Sequence, residues 1–375
     1  MNPPAPFASA MHEALALAQH AIGLSEPNPR VGCVITSADG RVIGRGHTQQ
    51  AGGAHAEVMA LRDVLAHGES ARGATAHVTL EPCAHHGRTP PCCEALIEAG
   101  IARVVMAVQD PNPFVAGQGA AWLRSAGIVV DEGELASESH ALNIGFFSRM
   151  QRGRPWLRMK AAITLDGRSA LDNGVSQWIT GEAARTDGHA FRKRAGALLT
   201  GVGTVLEDNP RLDVRLVETV VQPLRVVVDS RLQIDAGARV LQPPGRALVY
   251  CTSAADAERG SALTRNAPHI EVATLPADAH GKTDLAAMLA DLARREVNEL
   301  HVEAGHKLNG SLLAAGLVDE LLIYLAPTML GLGREMAAFG PLEKLADGLG
   351  FEFIDVERVG ADLRIRARPP GRADF

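Results

Sequence analysis

Three short pairs in the first half of this chain could do chemistry together: His55 with Glu57, Pro82 with Cys83, and Pro91 with Cys92. One imidazole and two thiolates form a donor set suited to Zn2+, and three protein ligands leave the fourth tetrahedral position for water. A water in that position has its pKa lowered to about 7, so hydroxide is available at neutral pH. Glu57, two residues beyond His55, lies off the helical stripe that His55 would occupy. It can therefore move a proton from the water to a departing amine without competing for the metal. Cys92 stands where a helix should begin, and the partial positive charge of a helix N-terminus is expected to favour its thiolate. Pro91 in front of it costs the helix no hydrogen bond.

Taken singly these signals are weak. A His-x-Glu occurs by chance, and a lone cysteine is often only a small buried hydrophobe. A closed structural zinc site, with His85, His86 or Cys93 as fourth ligand, accounts for the metal but leaves Glu57 without a task. Taken together, the residues match the zinc-deaminase signature in all but the spacing of the cysteines. That signature has two residues between them, whereas here eight intervene, Ala84 to Pro91.

The second half offers fewer chemical signals. Gly201-Val202-Gly203-Thr204 and the stretch Gly305 to Ser311 each sit between a strand-like and a helix-like segment. Small residues there let backbone N–H groups approach a phosphate, although close strand-to-helix packing explains them equally well. Arg192, Arg211 and Arg215 are candidates for a phosphate, because guanidinium forks match its geometry. Trp178 could stack on a flat ring or fill a core.

Several elements must position these residues. Helical spacing covers Phe7 to Ile22 and His55 to Leu65, and Val31 to Ile35 with Arg41 to Ile43 reads as a hairpin about Gly40. Ala76 to Leu80 and Arg103 to Val108 read as strands, and Ile128 as a short one. Helices are expected over Cys92 to Glu98 and Ala120 to Ser125. The basic stretch from Arg149 to Pro155 is the expected linker, dividing the chain into 1–150 and 151–375. Beyond it, strands are expected at Trp156 to Ile163, Ala197 to Leu199, Leu224 to Val228, Ala247 to Tyr250, His301-Val302 and Leu321 to Leu325. The tail from about Gly360 is uninformative, and Pro369-Pro370-Gly371 reads as flexible. The alternation implies two different α/β domains.

At 375 residues, with 46% hydrophobic and 21% charged residues, the chain is long enough for two cores and too apolar for disorder. A net charge of −6 and 4% aromatic residues argue against a basic groove for nucleic acid with rings for stacking. No run approaches the roughly 18 apolar residues that span a bilayer. The start lacks a basic secretory n-region, and Glu13 interrupts the apolar stretch after it. Five cysteines, an odd count and mostly clustered, point to metal chemistry in a reducing cytoplasm.

The stretch Thr79-Leu80-Glu81-Pro82-Cys83-Ala84-His85-His86-Gly87-Arg88-Thr89-Pro90-Pro91-Cys92-Cys93 closely resembles the deaminase domain of the bifunctional riboflavin-biosynthesis deaminase–reductases. So do Pro27 to Gly32 and Gln109 to Pro113. Lys160 to Arg168, Ser176 to Thr180, Thr204 to Pro210, Val228-Asp229-Ser230 and Val302 to Gly305 resemble the reductase domain of the same enzymes. The resemblance implies a cytidine-deaminase-like three-layer α/β/α domain followed by a dihydrofolate-reductase-like α/β domain. It also implies Zn2+ on His55, Cys83 and Cys92, Glu57 as general acid/base, and NADPH as the reductant. Asn28, His47, Asp110 and Asn112 become candidate contacts to the pyrimidine or ribose phosphate, although Asn28 and Asn112 precede prolines and suit turns equally. His85, His86 and Arg88 become candidates for the pocket mouth, with a solvated loop as the alternative. The carry-over puts Ala162, Trp178, Thr204, Asp208, Ser230 and the Gly305–Ser311 turn near the dinucleotide. It puts Ser176, Arg192, Leu212, Arg215 and Glu303 near the substrate. Lys160 and Glu303 are the ionisable candidates for assisting hydride transfer. The implied substrate is a small phosphorylated aminopyrimidine, with no nucleic acid or membrane as partner, and the implied assembly is a homo-oligomer. The competing readings are a nucleic-acid base deaminase with a C-terminal binding module, and a non-catalytic zinc-stabilised binding protein.

Overall fold

The structure, a computed structural model, describes residues 9–85, 90–113 and 115–375. The candidates His86 and Arg88, and Phe7 at the expected start of the first helix, lie outside the described residues. The chain divides into two compact units, Met1–Arg152 and Gly153–Phe375.

In the first unit the order is α1 (Ala10–Gln19), β1 (Gly32–Thr36), β2 (Val42–His47), α2 (Ala56–Ala66), β3 (Thr75–Val78), α3 (Cys92–Glu98), β4 (Arg103–Met106), α4 (Gln118–Ser125), β5 (Val129–Glu132), α5 (Ala136–Leu142) and α6 (Ile144–Arg152). The sheet runs β2-β1-β3-β4-β5, antiparallel across the first three strands and parallel from β3 to β5. A Cβ on Gly32 would meet the Ala14 carbonyl oxygen of α1 at 1.8 Å, and one on Gly46 would meet that of Ala56 in α2 at 2.2 Å. Gly46 pairs with Cys33, the neighbour of Gly32, so these two glycines face opposite sides of the sheet. Helices α1 and α2 therefore cover opposite faces, giving three layers, and Gly46 seats the start of α2 directly on β2.

The second unit contains β6 (Trp156–Thr164), β7 (Arg168–Leu171), α7 (Glu182–Arg194), β8 (Ala197–Gly201), α8 (Val202–Asp208), β9 (Leu224–Val228), β10 (Ala247–Thr252), α9 (Ala257–Thr264), β11 (Ile270–Leu275), α10 (Leu285–Arg294), β12 (Glu299–Val302), α11 (His306–Ala314), β13 (Glu320–Ala326), β14 (Gly333–Glu335), β15 (Glu352–Val359) and β16 (Asp362–Arg368). Nine strands run β11-β10-β9-β8-β12-β6-β13-β16-β15, parallel from β11 to β13 and antiparallel at β16 and β15. One apolar cluster gathers Leu157, Leu199 and Leu300 with Leu292 and Leu312; another gathers Leu198, Val227 and Val249 with Leu241. Adjacent residues of β8, Leu198 and Leu199, feed the two clusters, so the central strands are apolar on both faces, as a covered parallel sheet requires.

Two expectations are corrected. Helix α6 runs through Arg149 to Arg152, so only Gly153 to Pro155 separates it from β6. Phe146 and Phe147 are buried, and that burial carries the helix into the basic stretch. Past Gly360 the chain is not a featureless tail. β16 pairs with both β13 and β15, and the Phe375 ring lies 6.1 Å from that of the buried Trp156.

Candidate active sites

Helix α2 opens with His55 at its N-cap in extended backbone, and the imidazole makes no capping hydrogen bond. The ring is left to face the two sulfurs: its Nδ1 lies 3.5 Å from Cys83 Sγ and 3.3 Å from Cys92 Sγ. The three ligand atoms all fall within 4.8 Å of one another. Donors held tetrahedrally at Zn–S and Zn–N bond lengths stand about 3.5 Å apart, so this set fits the metal as it stands.

Glu57, in the first turn of α2, is buried with its carboxyl in hydrogen-bonding reach of the Cys92 thiol. Burial, with the nearby Cys83 charge, pushes that carboxyl up to about 7, the range in which a group can both take and give a proton. Cys93 turns away and donates to the Pro82 and Gly119 carbonyls, so it is not the fourth ligand. His85 is exposed, and among the described residues the donor cluster contains only His55, Cys83 and Cys92.

The start of α3 also serves the neighbouring cysteine. The Cys92 backbone N–H, at the start of α3, donates to Cys83 Sγ at 3.3 Å. The Cys92 side chain, His55 and this N–H together bring Cys83 down to about 4, while the bond with Cys83 and burial push Cys92 up. The helix terminus thus favours an anion on the neighbouring cysteine, because an N–H points outward from the turn and not at its own side chain.

Asp110 is close enough to Cys83 and His85 to feel their charges, and burial raises it to about 6. Its carboxylate accepts from the Asn112 N–H at 2.8 Å, so the two form one turn. Asn28 and His47 are half-buried. The Asn28 N–H closes a tight turn on Ser25, and the His47 ring lies 5.5 Å from His20. A residue to which the sequence reading gave no role is Glu81. Its buried carboxylate accepts from the N–H groups of Asp110 (3.1 Å), Gly117 (2.9 Å) and Ala120 (3.0 Å). It braces the segment carrying Asp110 against the strand end that leads to Cys83. The available signal was an acidic residue two positions before that cysteine; its burial is visible only in the fold.

In the second unit, a cavity of about 380 Å³ opens where β6, β8 and β12 end. Ligands commonly bind at that end of parallel strands. Its wall includes Lys160, Ala162, Ser176, Trp178, Thr204 and Asp208, and also Arg192, Leu212, Arg215, Glu303 and Gly305. Arg192 grips Glu303 with Nε and Nη2 at 2.5 and 2.9 Å. Burial alone would raise Glu303, but the Arg192 guanidinium outweighs it and holds the carboxyl well below the usual range. Glu303 is therefore an anion that accepts. Lys160 is the opposite case, because burial and Arg192 lower its ammonium pKa while Glu303 opposes them. Thr204 accepts from the Gly305 N–H at 3.0 Å, tying the starts of α8 and α11 together. Trp178 is 66% exposed, with the Arg185 guanidinium 4.9 Å from its ring centre, so it does not fill a core.

Two expected dinucleotide contacts do not line this cavity. The Ser230 hydroxyl is held by the Thr283 hydroxyl at 3.1 Å and by the Thr283 N–H at 2.9 Å. Gly305 to Ser311 is not a turn: Gly305 caps α11, and Ser311 lies inside that helix with its hydroxyl on the Lys307 carbonyl. Burial of Leu312 and Leu313 extends the helix through a segment whose small residues read as a loop.

Residues 7–108 match the cytidine and deoxycytidylate deaminase zinc-binding region, and residues 155–365 match the RibD C-terminal domain. The riboflavin biosynthesis protein RibD of Escherichia coli K12 is 45% identical, the match covering 94% of this chain and 96% of that protein. The Haemophilus influenzae RibD is 39% identical, with coverage of 96% and 97%. Among solved structures, Acinetobacter baumannii RibD superposes with a TM-score of 0.87 at 39% identity over 96% of this chain and 98% of that one. A diaminohydroxyphosphoribosylaminopyrimidine deaminase/5-amino-6-(5-phosphoribosylamino)uracil reductase from Thermotoga maritima gives 0.85 at 35% identity, with coverage of 96% and 97%.

Proposed function

The chain belongs to the RibD family of riboflavin-biosynthesis proteins, in which a deaminase and a reductase share one polypeptide, and from that premise we propose how its residues divide the work. The first unit deaminates 2,5-diamino-6-(5-phosphoribosylamino)pyrimidin-4(3H)-one. The second reduces the ribosyl group of 5-amino-6-(5-phosphoribosylamino)uracil to ribityl. The observation that carries this reading is the His55, Cys83 and Cys92 triad with buried Glu57 beside it.

His55, Cys83 and Cys92 hold Zn2+, which when bound supplies the Lewis acidity that makes water nucleophilic near pH 7. Glu57 takes a proton from the attacking water and returns it to the departing amine. Asp110, Asn112, Asn28 and His47 contact the pyrimidine or its ribose phosphate.

In the second unit NADPH supplies the hydride. Thr204, Asp208, Ala162, Trp178 and Gly305 border the nicotinamide dinucleotide, and Ser230 and Ser311 lie along its outer reach. Ser176, Leu212, Arg192 and Arg215 border the substrate. Lys160 delivers a proton as the opened ribosyl group is reduced, and Glu303, kept anionic by Arg192, orients it.

The substrate is a small phosphorylated aminopyrimidine, not a nucleic acid, and the enzyme works in the cytoplasm as a homo-oligomer, with residues 1–150 and 151–375 as its two domains. No helix among the described residues is long and apolar enough to cross a membrane. Exposed Phe353 and Val356 on the edge strand β15 support association of like chains. A coupled assay tests the whole reading: ammonia release from the diamino substrate should precede substrate-dependent NADPH oxidation. Absence of either from the purified chain would refute the corresponding half.

A further inference from the structure

Lys160 lines the reductase cavity, yet among the described residues its ammonium makes no hydrogen bond and no ion pair. Glu303 is the acid whose charge it feels, and Arg192 occupies both oxygens of that acid, through Nε at 2.5 Å and Nη2 at 2.9 Å. The buried His301 ring lies behind Glu303, its Nε2 3.3 Å from Oε1, and burial keeps that ring neutral. An ammonium beside a carboxylate that already carries a guanidinium gains little net attraction.

What does meet the ammonium is an aromatic face. Lys160 stands opposite Leu322 of β13, so Tyr324, two residues along, projects from the same side of the sheet. The Lys160 Nζ lies 5.9 Å from the Tyr324 ring centre, within the range over which a ring attracts a cation. The ring is buried and packs with Leu322 of β13 and with Ala184 and Phe191 of α7. Exclusion of water there strengthens the attraction. The Tyr324 hydroxyl donates to Asp187 Oδ2 at 2.7 Å, and Arg364 of β16 donates to Asp187 Oδ1 at 3.1 Å. Burial and the bond to Asp187 push the phenol up, so it stays a neutral donor. Donation to a carboxylate enriches the ring in electrons and fixes its orientation.

We propose that Tyr324 is a positioning residue of the reductase: its ring holds the Lys160 ammonium at the cavity, and Asp187 holds the ring. The proposal rests on the reading in which Lys160 gives a proton during reduction. Lys160 must then be protonated as the reaction begins. Burial and Arg192 act against that charge, Glu303 acts for it, and the Tyr324 ring offsets part of what Arg192 removes.

The test is the pH dependence of kcat for NADPH oxidation by the full chain, on pyrimidine supplied already deaminated. The wild-type rate should fall at high pH as Lys160 loses its proton. Without the ring that proton leaves more readily, so in Tyr324→Leu the falling limb should move down by about 0.5–1 pH unit. Tyr324→Phe keeps the ring and should move the limb less. Phenylalanines bearing one, two and three ring fluorines, placed at position 324, withdraw electrons at nearly constant volume and should move it down stepwise. That series decides the question even where Tyr324→Leu fails to fold, and an unchanged KM for NADPH reports an intact cavity. A limb at the same pH in wild type and in every folded variant would overturn this proposal alone. A Lys160→Met enzyme that still oxidised NADPH would overturn the reading of Lys160 itself.

Discussion

At the residue scale, the proposed deaminase chemistry turns on one carboxyl group whose environment suits it to the job. Glu57 is buried beside sulfur ligands, and its proton affinity near neutrality follows from that burial. Glu57→Gln preserves shape and removes the proton shuttle, so ammonia release should fall by at least about 100-fold while zinc content is retained. An assay of released ammonia beside metal analysis checks both. In the cavity of the second unit, Lys160→Met should abolish NADPH oxidation and leave ammonia release intact, since burial and Arg192 ease the loss of the Lys160 proton. The clustering of His55, Cys83 and Cys92 was legible in the sequence because Pro-Cys pairs after His-x-Glu have a chemical rationale independent of the fold. The direction of the helix-terminus effect was not legible. Spacing places Cys92 at the first turn, but that its N–H points at Cys83 follows only from the fold.

At the scale of elements, α2 and the parallel strands do the positioning. A Cβ on Gly46 would stand 2.2 Å from the Ala56 oxygen and 2.4 Å from the Ala60 nitrogen. Gly46→Val should therefore push α2 off β2 at a cost of about 1–3 kcal/mol or more, and bound zinc should drop with it. Thermal denaturation and zinc stoichiometry would register the change together. In the second unit, Glu320 on β13 lies opposite Arg158 on β6, at 2.6 Å, and accepts from Arg368 on β16 at 2.8 Å. Burial would raise this carboxyl, but Arg158, Arg366 and Arg368 prevail and hold it at about 2, against an ordinary 4.5. Because the folded value is the lower one, the stabilisation is complete above the ordinary value and is lost as pH falls towards 2. A shift of that size corresponds to about 3 kcal/mol. Urea midpoints of the chain should thus fall steadily below about pH 4.5; a midpoint constant down to pH 3 would contradict this. The central strands were readable because they are continuously apolar. Strands β15 and β16 were not, because Glu352, Asp355 and Glu357 alternate with apolar residues on one and Arg364, Arg366 and Arg368 do so on the other. Each strand alone looks like a solvated tail, and only their pairing makes the charges complementary.

At the scale of the molecule, two units with separate apolar cores house two reactions that need no common residue. Chelation should therefore stop ammonia release while NADPH oxidation continues on pyrimidine supplied already deaminated. Loss of both activities on mild chelation would tie the reductase to the metal and contradict that independence. The more direct question is whether the metal site is open. Zinc-edge X-ray absorption of the purified chain should find one zinc with two sulfurs at about 2.3 Å, one imidazole nitrogen and one light atom exchangeable with solvent. A shell closed by a third sulfur or a second imidazole, with no exchangeable ligand, would leave Glu57 no water to act on and would contradict the account.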